Sequence, residues 1–120
     1  MKETMIIFGG KERSLRFNSR AVCFAEDVLG KALMVVVGNP MFLGVSTLRT
    51  LLCAGLMYQE KGITLQRVEI MLDDYLDDGK PLEYLWEKVS VALDQAGVFG
   101  KIEEQTDVPN ASLSAPVESL

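Results

Sequence analysis

The stretch LRFNSRAVCFAEDVLG, Leu15 to Gly30, changes from one kind of structure to another partway along. With Arg13 and Ser14 ahead of it, its start alternates polar and apolar side chains and puts Leu15 and Phe17 on one face of a strand. Asn18 and Ser19 break the pattern, and either can cap a helix by accepting a hydrogen bond from a free amide in its first turn. Ala21, Val22, Ala25, Val28 and Leu29 then form the apolar side of that helix. The helix is expected to run to about Leu33, with Gly30 as a weak point where it can stop early.

Upstream, Met5 to Phe8 is rich in β-favouring residues and Gly9 and Gly10 are natural turn formers, so residues 5–17 read as a hairpin. Two strands alone are marginal in water. The hairpin must lay its apolar face on helices, or offer its open edge to another copy. Downstream, LMVVVGNPMFLGV (Leu33 to Val45) has two apolar arms about a turn forced by Gly38, Asn39 and Pro40.

Ser46 is placed to cap a second helix with Leu48, Leu51, Leu52, Gly55 and Leu56 on one side, ended by Gly62. Gly55 inside that stripe costs about 1 kcal/mol against alanine, which predicts that another element packs very close there. Thr64 caps a third helix with the stripe Leu65, Val68, Met71, Leu72, Tyr75 and Leu76, closed by Asp77, Asp78 and Gly79. Pro81 suits the first turn of a fourth, whose apolar positions run from Leu82 through Leu85, Trp86, Val89, Ala92 and Leu93 to Ala96, with Gly97 and Gly100 ending it. The reading is therefore a mainly α, four-helix domain with an N-terminal β-hairpin over residues 1–100. Beyond Lys101 no period survives, so residues 101–120 are expected to form a flexible tail.

The 120 residues suffice for one core without metal or disulfide. A hydrophobic content of 48% is globular, and a net charge of −5 repels a phosphate backbone, which argues against nucleic acid as a partner. No apolar run approaches the roughly 20 residues that cross a bilayer, and no targeting segment is visible. Cys23 and Cys53 lie among apolar residues of expected helices and read as buried free thiols, as in a reducing cytoplasm.

The chain contains no histidine, which removes the commonest general base and metal ligand together with the usual Ser/His and Cys/His arrangements. Asp73 with Asp77, or Asp74 with Asp78, would share a helix face and could hold a hard cation; without EF-hand spacing, a solvated face is the simpler reading. These charges sit at a helix C-terminus, where the macrodipole disfavours them, so a basic partner is one explanation. Gly9, Gly10 and Lys11 lack the spacing of a phosphate loop. Trp86 falls in register with the apolar stripe of its own helix and reads as core, although it and Tyr84 could stack on a ligand. The connection after the first helix has two readings: a buried link, or an exposed patch of Met34, Val35, Val36, Met41, Phe42 and Leu43 that accommodates varied apolar partner helices.

The "LRF" strand, the helix ending in "ED..G", STLRTLLCAGL (residues 46–56) and GITLQRVEIMLDDYL (residues 62–76), in that order, resemble the tail assembly chaperones of long-tailed phages and gene transfer agents. The likeness covers roughly residues 13 to 96. It implies a cytoplasmic, helical, non-enzymatic protein with no cofactor. Such a protein associates with copies of itself and with the tape measure protein, keeping that long helix soluble until tail tube subunits polymerise around it. The alternative is a small helical adaptor or transcriptional regulator, with residues 46–76 imitating a helix-turn-helix. Against this, Arg49, Lys61 and Arg67 are too diluted by acids to track phosphates.

Overall fold

Gly9 and Gly10 have φ of 64° and 82°, the pair of positive angles that a two-residue hairpin turn needs. The computed structural model describes residues 3–98. In it, β1 (Thr4–Phe8) and β2 (Lys11–Leu15) pair antiparallel, with Phe8 opposite Lys11 and Thr4 opposite Leu15. Ile6, Phe8, Leu15 and Phe17 are buried on the inner face, while Met5 and Ile7 point outward.

Five helices follow: α1 (Ser19–Leu29), α2 (Leu33–Val37), α3 (Val45–Leu56), α4 (Leu65–Asp77) and α5 (Leu82–Gln95). Four are the expected ones, and α2 is an addition inside the apolar connection. The Asn18 side chain accepts from the Ala21 amide at 2.9 Å and caps α1. Gly30 ends that helix in the left-handed region, so it stops short of Leu33. Thr64 caps α4 by accepting from the Arg67 amide. Ser46 is not the cap of α3: Gly44 takes that place, and the helix closes at Leu56, ahead of Gly62. Pro81 precedes α5 in an extended conformation, and Gly97 follows its end at φ 82°. Gly100 and the tail expected over residues 101–120 lie outside the described residues.

Helix α3 is the hub, packing against β2, α1, α4 and α5. Thr47, Leu48 and every residue from Thr50 to Leu56 are buried, so the one-sided stripe is in fact a helix covered on nearly all sides. Thr47 and Thr50 satisfy their hydroxyls on the backbone carbonyls of Phe42 and Ser46. The close approach expected at Gly55 is present. A Cβ there would lie 2.8 Å from a Leu15 methyl and 3.2 Å from the Phe17 ring, and the Arg16 amide donates to the Gly55 carbonyl at 2.9 Å. The end of β2 thus rests directly on the backbone of α3.

Arg13 is buried beneath the hairpin, donating to the Phe8 and Gly9 carbonyls and pairing with Glu60 in the α3–α4 connection. One charged side chain therefore ties the turn to the helical body. The hairpin edge is less open than the sequence suggests. The Ile7 amide donates to the Tyr84 hydroxyl at 3.0 Å, and Thr4 donates to the Gln95 side chain at 2.9 Å, so α5 lies along β1. Trp86 is half-buried and packs against the core, in line with its place in the α5 stripe.

Candidate functional site

Helix α2 arises from a local device. Gly30 reverses the chain, and the Glu26 carboxylate accepts from the Leu33 amide at 2.8 Å, closing the new helix from the one before it. Leu33 and Val36, three residues apart on one face, are buried in the core. The intervening Met34 and Val35 point outward, 54% and 52% exposed. Asn39 then accepts from the Met41 amide and opens a single 3₁₀ turn, Pro40–Phe42, which lifts Met41 to 88% exposure. Phe42 and Leu43 are half-buried against the core, and the Lys31 ammonium lies 4.8 Å from the centre of the Phe42 ring.

Of the six residues read as a binding patch, Met34, Val35 and Met41 are exposed, and Phe42 and Leu43 are half-buried. Val36 is corrected: at 1% exposure it anchors the segment and offers no surface to a partner. Val45, 49% exposed at the start of α3, belongs with the patch and was missed. It closes the same apolar run, next to the serine that the sequence offers as a helix cap.

Val45 also leads into a groove between α3 and α4 of about 450 Å³, lined by Ser46, Leu72, Asp73 and Leu76 and by an Arg49–Glu69 ion pair. Leu76, expected in the buried stripe of α4, is instead exposed. A second cavity, about 410 Å³, sits between the hairpin turn and the end of α4, among Gly9, Gly10, Met71, Asp74, Asp77 and Asp78. Among the described residues no group of three His, Cys, Asp or Glu side chains is placed to hold a metal ion.

One thiol differs from its reading. Cys23 is exposed, because it lies on the side of α1 opposite Ala21 and Ala25; Cys53 is buried as expected, and both are free. Burial pushes the Cys53 thiol above its ordinary pKa, with Arg49 opposing the shift. Burial, with Tyr84 adding to it, also raises Tyr75, whose hydroxyl donates to the Pro81 carbonyl at 2.6 Å. No helix among the described residues is long and apolar enough to cross a membrane.

Comparison of the chain with protein-family models, with curated proteins and with solved structures finds no match.

Proposed function

We propose that this protein is a phage or prophage tail assembly chaperone, a non-enzymatic protein that holds the tape measure protein soluble in the host cytoplasm until tail tube subunits replace it. The observation that carries the reading is the set of exposed apolar side chains Met34, Val35, Met41 and Val45 within the one segment from Leu33 to Val45, which Leu33 and Val36 anchor in the core and whose Val45 also lines the α3–α4 groove. Exposed apolar patches mark interaction sites, and methionine adapts to partners of varied shape. An amphipathic client helix would lay its apolar face on these side chains, with Arg49, Glu69 and Asp73 at the groove rim meeting its polar flank. Each 100 Å² of apolar area covered contributes about 2.5 kcal/mol before the cost of association. Release then needs only a competing surface, with no cofactor and no bond made or broken. A client longer than one subunit needs several copies in a row, so self-association belongs to the same reading.

A DNA-binding adaptor has less support. The exposed residues of α4 include Arg67 but also Glu69, Asp73, Asp74 and Asp77, a face that repels phosphates. Co-expression with the tape measure protein of the same genome tests the proposal. A rise in soluble tape measure protein is expected, and an unchanged soluble fraction overturns the reading.

A further inference from the structure

Three cations gather where the end of β2 meets the residues just past α3. The Arg16 guanidinium stacks on the Tyr58 ring, 4.0 Å from its centre, and the Lys61 ammonium lies 5.5 Å from the same ring. Arg20 joins Tyr58 and Lys61 around one small cavity, beside Asn18 at the start of α1. Among the described residues none of the three has a carboxylate within ion-pair distance, and the buried Nε of Arg16 has no hydrogen-bond partner. Two acids of this end are engaged elsewhere, Glu60 by Arg13 and Glu3 by Ser14 and Gln59. In a chain of net charge −5, the described body thus leaves one cationic patch without a counter-charge.

The chain leaves the described body at the same end. Helix α5 runs along β1 from Tyr84, bonded to the Ile7 amide, to Gln95, bonded to Thr4, and the Val98 amide then turns back to the Leu93 carbonyl. Thr4 lies opposite Leu15, so α5 ends beside the strand residue that precedes Arg16. Past Val98 come Glu103, Glu104 and Asp107, and residues 101–120 as a whole carry four acids against one lysine. The five residues from Val98 to Glu103 reach up to about 17 Å when extended, and the nine to Asp107 up to about 30 Å, against about 5.5 Å between the Cα atoms of a strand pair. A covalent link this short holds the acids near the patch at an effective concentration on the order of millimolar, so that surface ion pairs, weak one by one, together retain the segment.

We propose that the acidic stretch from Glu103 to Asp107 docks on the Arg16, Arg20 and Lys61 patch of its own subunit, so that the segment after α5 folds back across the start of α1. A carboxylate is favoured there twice over, by the cations and by the N-terminus of α1, whose first turn holds no acid. Tyr58 holds Arg16 and Lys61 in place for the contact. The segment needs no helix or strand of its own for this, in keeping with a sequence that shows no period. The pairs lie at the surface, so salt weakens them. The contact uses none of Met34, Val35 and Met41, and it stands or falls separately from the client reading.

Cys23 supplies the probe: it is exposed on α1, three residues beyond Arg20, whereas Cys53 is buried. A nitroxide attached to Cys23 of the full chain at low salt should broaden the NMR amide signals of Glu103 to Asp107, removing most of their intensity relative to the reduced label. Raising the salt should restore them. Arg20→Glu/Lys61→Glu and Glu103→Lys/Glu104→Lys/Asp107→Lys should each restore them at low salt. The two sets combined should bring the broadening back, since the charges are then exchanged. Arg20 and Lys61 are exposed, and a glutamate suits the first turn of α1, so folding should stay intact, which circular dichroism checks. Signals of full strength in the wild type, broadening that survives high salt or either reversal, or a combined variant without broadening would each overturn the proposal. So would broadening that arises only between a spin-labelled copy and a separate isotope-enriched one, which would place the segment on a second molecule.

Discussion

Helix α3 and the connection from Leu33 to Leu43 have much the same apolar composition and opposite fates. The helix is enclosed by β2, α1, α4 and α5, and nine of its residues are buried. The connection buries only Leu33 and Val36, with Val37, Phe42 and Leu43 half-covered against the core, and offers Met34, Val35 and Met41 to solvent. Hydropathy does not distinguish the two. What does is the number of neighbours: a five-residue helix followed by a 3₁₀ turn at the periphery can cover one face and no more.

The contrast breaks most sharply in α3. Leu52→Ala should cost about 2–5 kcal/mol in denaturant unfolding, because its cavity is walled on all sides and cannot collapse. Gly55→Ala gains helix propensity but drives a methyl into Leu15 and Phe17, so a net loss of about 1–3 kcal/mol is expected. The adjacent valines sharpen the comparison within one turn: Val36→Ala should cost about 2 kcal/mol, while Val35→Ala stays within about 0.5 kcal/mol of wild type.

Chemistry gives a smaller effect in the same direction. A thiol reagent should modify Cys23 at once and Cys53 only as the chain opens. Cys53 and Tyr75 hold their protons more tightly folded than unfolded, so stability should fall as pH rises through about 9–10, where the unfolded chain releases them first. A pH series of unfolding midpoints that stayed level there would contradict the burial of both groups.

The hairpin, the caps at Asn18 and Thr64 and the tight contact at Gly55 could be read from sequence because each rests on a local rule: turn glycines, polar caps, a glycine inside an apolar stripe. Helix α2 could not, since its amide cap comes from Glu26, seven residues back, and only the folded chain brings them together. The sequence marks the connection as an apolar segment but not which of its side chains face water. Separating Val35 from Val36 requires knowing which face of α2 meets the core, and a segment this short carries too little periodicity to decide. The exposure of Cys23 and Leu76 and the covering of β1 by α5 depend likewise on which elements pack together.

The central claim, that these exposed side chains cover apolar surface on another polypeptide, is tested most directly by Met34→Ser/Val35→Ser/Met41→Ser. The variant should melt within a few degrees of wild type, because all three side chains already face water. The measurement is the amount of tape measure protein that the variant keeps in solution beside an equal amount of wild type. A loss of most of the solubilised client with folding intact is the predicted result, and undiminished solubilisation would contradict the account.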